Sequence, residues 1–563
     1  MFLYTSEKNS KLKLTGNCSY FIDILRLLFY TMITNVQKNK KNGVTIMKRV
    51  ISILLCLILA FSLCMPAFAA AETKEYKEYP TIYVTGAQTN NLYSADNKLI
   101  SDFDIDLGAV LEEYGMDLVS KFLFGMLSDD YKMWANRFHE IFVGIYGDAA
   151  LDKNGEASNG SHPEYHSSTV DVTKKSSGFG IWDYRFWYDW RISPLVTGEE
   201  LEAYIDRVIL ATGAEKVNLV GRCYGANVIA AYVAMNKEHA IANVDDIAYY
   251  APSIDGIDFM TALYTGELYL DGEALDSFLA WFLENKDLIE DDALSSLILT
   301  LVQLFEQAKV LGFTAEKIDL LIDRIKSDLI PPILRDSFAS WPSYWAMVTE
   351  GNLEKAIDFI FDGCKDEYAG LITKVRDYYD IVQSEHNKTV TEMMDNNLVR
   401  YNIFAKYNFP EFPIYEGATV QSDGDTPLFR QTFGATAANY GEVLSDKYLA
   451  SVSAENQKYI SPDHKVDAST GLLPENTWYV KNFHHNYWGS IHEISLDIMN
   501  HDYYVSDGAN PQFMDNNNDM KEVTPDEDYN KPANNTLMSL FRFLTSFFNF
   551  FAKLLRGELS LGK

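Results

Sequence analysis

Apolar and polar positions change period several times along this chain. In "YPTIYVTGAQTNNLY", Tyr79 to Tyr93, β-branched residues run into a glycine turn and predict a strand. "SGFGIWDYRFWYDWRISPL" predicts an aromatic strand ending at Trp190-Arg191. From Gly198 to Gly213 the period becomes helical: Leu201, Tyr204, Ile205, Val208 and Ile209 share one face, and Gly213 is placed to stop the helix. A short strand, Val217 to Val220, follows, then a glycine-bounded turn and a helix from Ala226. "VDDIAYYAPSID" predicts the next strand. This alternation predicts an α/β fold with a mostly parallel central sheet and helices on both faces.

The alternation divides the chain. Residues 72–255 carry the first part of the core. From 256 to 405 the pattern is helical ("DSFLAWFLENKDLI", "AEKIDLLIDRIKSDL", "LEKAIDFIFDG", "LITKVRDYYDIV") and predicts a large insertion, a lid over one end of the sheet. Residues 406–505 resume the core, with a strand expected at "EFPIYEGATV" near Ile414 and another at "NTWYVKNFHHNYW". Residues 506–536 are rich in Asn and Asp, contain Pro, and predict an acidic flexible linker. Residues 537–563 predict a helix with a wide aromatic face and a narrow basic stripe. Such a helix suits a membrane interface or docking on the core.

The amino-terminal region changes the picture of what the mature chain is. "MKRVISILLCLILAFSLCMPAFAAAE" opens at Met47 with a basic pair, an apolar run from Ile51 to Leu63 and Ala67-Phe68-Ala69 as a small-x-small cleavage site. Residues 47–71 therefore read as a secretory signal peptide and the protein as secreted, at or near the cell surface. Residues 1–46 read as an untranslated upstream segment. The whole chain of 563 residues carries a net charge of −31, and residues 1–71 are basic, so the remainder is more acidic still. An acidic surface repels phosphate backbones and argues against nucleic-acid binding. Aromatic residues at 14% suit an apolar ligand. Beyond the signal peptide only Cys223 and Cys364 remain, which excludes a disulfide scaffold and predicts two free thiols.

The chemistry concentrates in "EKVNLVGRCYGANVIAAYVAM", Glu215 to Met235. Strand, tight turn and helix form the frame of a G-x-S-x-G nucleophile elbow, with Gly221 and Gly225 as the small neighbours and Cys223 in place of serine. Backbone N–H groups of Tyr224 and, from the turn after the first strand, Ala87 would hold an oxyanion. Acid and base should follow in chain order. Of His239, His386, His464, His484, His485, His492 and His501, the adjacent His484 and His485 follow a strand and are the candidate bases; His492 falls in the final helix. In "SPDHKVDAST", Asp463 is the candidate acid and Asp467 its alternative. No metal or organic cofactor is required.

Together, "FWYDWRISPLVTGEELEAYIDRVILATGAEKVNLVGRCYGANVIAAYVAM" and "VTGAQTNNLY" resemble lecithin:cholesterol acyltransferase-like α/β-hydrolases, with "YISPDHKVDAST" and "WYVKNFHH" a looser match. The resemblance implies an α/β-hydrolase fold. It also implies cleavage or transfer of acyl groups from lipids or other hydrophobic esters. Cys223 for serine and Arg222 for the histidine common before it are departures. A thiol has an unperturbed pKa of about 8.5, which an adjacent imidazole lowers, and a thiolate attacks esters and thioesters readily. A Cys-His-Asp triad is chemically sound. The rival expectation is a catalytically inactive hydrolase-fold protein that binds lipid or a cell surface.

Overall fold

A computed structural model describes residues 76–525, apart from 102–113, 115–116, 119, 123, 126–127, 176–182, 270–271, 286–314, 488 and 490. The expected upstream segment, signal peptide and C-terminal helix, and the end of the expected linker, lie outside the described residues.

Eight strands form the central sheet: β1 (Thr81–Val84), β2 (Tyr184–Phe186), β3 (Val217–Arg222), β4 (Val244–Tyr250), β5 (Arg400–Tyr407), β6 (Thr477–Lys481), β7 (Phe513–Asp515) and β8 (Lys521–Glu522). Their order across the sheet is β8-β7-β6-β5-β4-β3-β1-β2. All neighbours are parallel except the last pair, β7 and β8. The chain lays β2 outside β1 and then returns past β1 to start β3. The strand order reverses there, and in open α/β sheets ligands bind at such a point, beyond the carboxyl ends of the strands.

Side chains alternate across the sheet, as a strand's period of two requires. Ile82, Val84, Leu219, Ile247, Tyr249 and Tyr401 join the larger core. That face is covered by α1 (Pro194–Thr212), α2 (Tyr224–Met235) and the helical insertion. Tyr83, Val220, Ala248, Tyr250, Phe404, Trp478 and Val480 face the other way, onto Ile491, Ile498 and Met499. The helix α4 (Ile491–Asn500) supplies those three. In α1, Leu201, Tyr204, Ile205 and Val208 are buried as the pattern predicts. Ser193 caps the first turn, Pro194 opens it, and Gly213 closes it at φ 71°.

Two expected boundaries are corrected. The sheet resumes at β5, inside the stretch expected to be helical; all but its first residue are buried. "EFPIYEGATV" is not a strand but a loop that buries Phe412 and Ile414. Similarly, part of the expected flexible linker is sheet. Phe513 and Met514 of β7 pair with Tyr479 and Val480 of β6 and send side chains to opposite cores. Two consecutive apolar residues suffice there because the parallel neighbour already provides the hydrogen-bonding edge.

Candidate functional site

The elbow is built from local sequence. All six residues of β3 are buried, and the strand ends in Cys223 at φ 50°, ψ −126°. A β-carbon is strained at a positive φ, at a cost of about 1–3 kcal/mol. The surroundings hold it: Cys223 N–H donates to the Tyr250 carbonyl (2.9 Å), and the Cys223 carbonyl accepts from Ala226 N–H (3.0 Å). The flanking glycines are steric necessities. A β-carbon on Gly225 would stand 2.3 Å from the Val84 carbonyl oxygen, and one on Gly221 would stand 2.9 Å from Ala226 N. The 12-residue helix α2 begins at the next residue, with Cys223 as its N-cap.

The loop after β1 lies against this turn. A β-carbon on Gly86 would come within 3.5 Å of the Cys223 β-carbon. Ala87 follows directly. The Tyr188–Arg191 string supports this loop. Tyr188 hydroxyl donates to the Thr85 carbonyl, and Trp190 Nε1 donates to the Asn90 carbonyl at 2.9 Å. Arg191, fully buried, is paired bidentately with Asp189 at 2.9 and 2.7 Å and reaches Ala149 and Ser161.

The imidazole comes from the loop after β6. A His485 ring nitrogen, an Asp425 carboxylate oxygen and Cys223 Sγ lie within 4.8 Å of one another. His485 Nδ1 is 2.7 Å from Asp423 Oδ2, and Nε2 is 3.2 Å from Asp425 Oδ2. The backbone repeats the link: His485 N–H donates to the Asp423 carbonyl (2.8 Å). Burial by itself would lower the His485 pKa. The Asp423 carboxylate, with Asp425 and Cys223, instead holds it well above the ordinary imidazole range. Burial pushes the Asp423 carboxyl up, but the His485 imidazolium, together with Lys406 and the Thr426 amide, outweighs this and keeps it below the usual value. The Asp423 Oδ1 accepts from the amides of Asp425 (3.1 Å) and Thr426 (2.8 Å).

Two cations fix the histidine loop through its backbone. Arg222 donates to the His485 carbonyl (2.9 Å) and to Asn486 Oδ1 (3.1 Å). Lys406, on β5, donates to the same His485 carbonyl at 2.9 Å and to those of His484 and Tyr487 at 3.4 Å. Its burial, with Arg222 nearby, lowers its pKa to about 7.

The neighbouring candidate base is differently employed. The His484 ring stacks on Trp281 with centroids 5.5 Å apart and meets Phe409 edge-on at 5.2 Å. Burial lowers its pKa to about 3, with Asp423 opposing and His485 assisting. His492 lies in α4, as expected, against Tyr250.

The acid expected from sequence is elsewhere. Asp463 is ion-paired with Lys481 (3.0 Å) and accepts from Ser461 (2.7 Å) and Tyr407 (3.3 Å). Asp467 caps the turn at Ser469 and accepts from Tyr448. Asp423 is the carboxylate brought to His485. It follows β5, where an antiparallel bridge between Phe409 and Ser422 folds the loop back to the strand end. The sequence signal is Asp423-Gly424-Asp425 shortly after "RYNIFAKY", but most of that strand falls in the stretch expected to be helical, which hides the loop that follows it as a place for the acid. Lys406 and Asp425 were missed for the same reason.

Cys223 and Cys364 are both free, as expected; Cys364 is partly buried near Arg335. No family model matches the chain, and no curated protein is significantly similar to it.

Proposed function

We propose that this chain is an α/β-hydrolase that cleaves or transfers acyl groups of hydrophobic esters through Cys223, His485 and Asp423. The observation that carries this reading is a thiol on a strained strand-to-helix turn, within reach of an imidazole whose other nitrogen is held by a buried carboxylate. The chain order of nucleophile, acid and histidine supports it, as does the elbow's place where the strand order reverses. The resemblance to lecithin:cholesterol acyltransferase-like enzymes points to acyl lipids. The apolar wall of Phe409, Phe412, Phe278 and Trp281 beside the histidine loop supports a hydrophobic acyl group. The helix α3 (Gly272–Asn285) that carries Phe278 and Trp281 is the part of the insertion suited to act as a lid. Under this reading the protein is exported and works at a cell or lipid surface.

The chemistry follows from the residues. Cys223, as thiolate, adds to the ester carbonyl carbon while His485 carries a proton on Nε2. The carbonyl electron pair moves to oxygen, which the N–H groups of Ala87 and Tyr224 hold; such a donor contributes about 3–4 kcal/mol to the barrier reduction. The C–O bond breaks as the leaving alcohol takes the Nε2 proton, and a thioester remains on Cys223. Water, or an acceptor alcohol, then adds to the thioester and gives its proton to Nε2. The C–S bond breaks, releasing acid or a new ester and restoring thiolate and imidazolium. Asp423 orients the ring and balances its charge without taking the proton.

The test uses p-nitrophenyl esters of increasing chain length and acyl thioesters, with and without iodoacetamide. The expected result is turnover abolished by alkylation, with intact mass showing an acyl group on Cys223. A folded protein with no turnover and a Cys223 that resists alkylation would leave the inactive binding protein as the better reading.

A further inference from the structure

A Cys-His-Asp triad needs one carboxylate, on the Nδ1 side of the ring, and here that is Asp423. Asp425 is a second carboxylate on the opposite, reacting side: its Oδ2 is 3.2 Å from Nε2, and one of its carboxylate oxygens lies within 4.8 Å of Cys223 Sγ. This changes what the site can bind. An ordinary triad offers a cation two ligand atoms, sulfur and nitrogen, whereas this one offers thiolate, imidazole and carboxylate on one face. Those are the ligand types of four-coordinate zinc sites that keep one position open.

The geometry points to a soft divalent cation site, zinc above all, formed by Cys223 Sγ, His485 Nε2 and Asp425. Bonds of about 2.0–2.3 Å in a tetrahedron put ligand atoms about 3.3–3.8 Å apart. The Nε2–Oδ2 edge is already close to that, and rotation of the partly exposed Cys223 and Asp425 side chains closes the rest. The supporting shell is in place. Asp423 on Nδ1 fixes the tautomer that leaves Nε2 for the metal, a carboxylate–histidine arrangement that typically strengthens binding. Arg222 and Lys406 hold the loop by its carbonyls, so the imidazole stays in position when the ion arrives. Thiolate and carboxylate together neutralise the divalent charge, and thiolate selects zinc or cobalt over magnesium or calcium. Because the ion takes the sulfur that would carry the acyl group, metal binding and acylation exclude each other. The site does not depend on the hydrolytic reading.

The full-length protein, stripped with a chelator, is titrated with Co2+ and followed by absorption. We expect a thiolate-to-cobalt charge-transfer band with the visible bands of a four-coordinate ion, saturating at about one equivalent and displaced by Zn2+. The charge-transfer band is lost in Cys223→Ser, and Asp425→Asn and Asp423→Asn each weaken Kd by about 10–100-fold. One equivalent of Zn2+ slows iodoacetamide alkylation of Cys223, read on its peptide by mass spectrometry, by about tenfold or more. The inference fails if the band is absent or survives in Cys223→Ser, if Asp425→Asn leaves Kd unchanged, or if Cys223 is alkylated at full rate in Zn2+. None of these readouts needs turnover. Ester cleavage by metal-free protein that gives no cobalt band would sink this site and spare the hydrolase; a band without cleavage would do the reverse.

Discussion

The two corners of the site are built by opposite strategies. The cysteine corner is one contiguous stretch in which β3, turn and α2 follow each other, and its geometry is enforced by backbone contacts at Gly221 and Gly225. The imidazole corner is assembled from two separate loops, after β5 and after β6, joined by side-chain hydrogen bonds and an ion pair. The first is fixed by steric exclusion, the second by charge. They should therefore fail differently: the elbow by refusing to fold, the imidazole corner by folding without working.

The largest effect expected follows from His485→Phe, which under the proposed mechanism lowers kcat by on the order of 10⁴-fold or more in protein that still unfolds cooperatively, though at a lower temperature because the buried Asp423 carboxylate loses its imidazolium. Asp423→Asn should come next, at about 10³–10⁴-fold, because the ring loses its tautomer. Asp463→Asn is the contrast: kcat stays within a few-fold, but removing the carboxylate charge from the buried ion pair with Lys481 lowers stability by up to about 3–5 kcal/mol in denaturant unfolding. Equal activity losses for the two aspartate variants would erase the distinction drawn between them. On the elbow side, Gly225→Ala should cost about 3 kcal/mol or more, because the new methyl meets backbone oxygen and not a movable side chain.

A smaller effect sharpens what the carboxylates do. His386 is as buried as His485 but sits between the Tyr249 and Phe433 rings, and burial lowers its pKa to about 4, against a weaker opposing contribution from Asn387. It is neutral when folded and titrates near 6.5 when unfolded. Its contribution is thus complete above pH 6.5 and is lost as the pH falls toward 4, on the order of 3 kcal/mol in all. His386→Phe should flatten the stability profile over that window, measured by urea titration from pH 7 to 4. An unchanged profile would mean the imidazole is not the group responsible.

How far each corner could be read from sequence follows the same division. The elbow was legible because strand, glycines and helix occupy adjacent positions, and periodicity reports such neighbours directly. So was the alternation of β1 to β4 with helices. The histidine pair was legible as a loop after "TWYVK", but the choice between His484 and His485 rests on Asp423, which takes the one, and Trp281, which takes the other, both far away in sequence. Asp423 was not legible. "RYNIFAKY" mixes polar and apolar residues in a strand buried on both faces, and its Asn402 and Lys406 are satisfied by groups from distant segments, Asp246 and Asn476 for the first and carbonyls of the histidine loop for the second. With that strand hidden, an aspartate before Val466 looked like the acid. Phe513 and Met514 were hidden by the acidic stretch around them.

The sheet's ends carry a last consequence. An open row of backbone donors and acceptors invites another chain to add on, and long apolar borders make such stacking hard to prevent. Here one border is β8, two exposed residues, Lys521 and Glu522, running against the direction of every other strand. The other is β2, three residues long, where the Arg185 guanidinium lies over the Trp187 ring at 3.6 Å. Among the described residues both rims are too short to template a neighbour, β8 being charged and β2 buried, so crowded copies of this protein should stay separate at these margins.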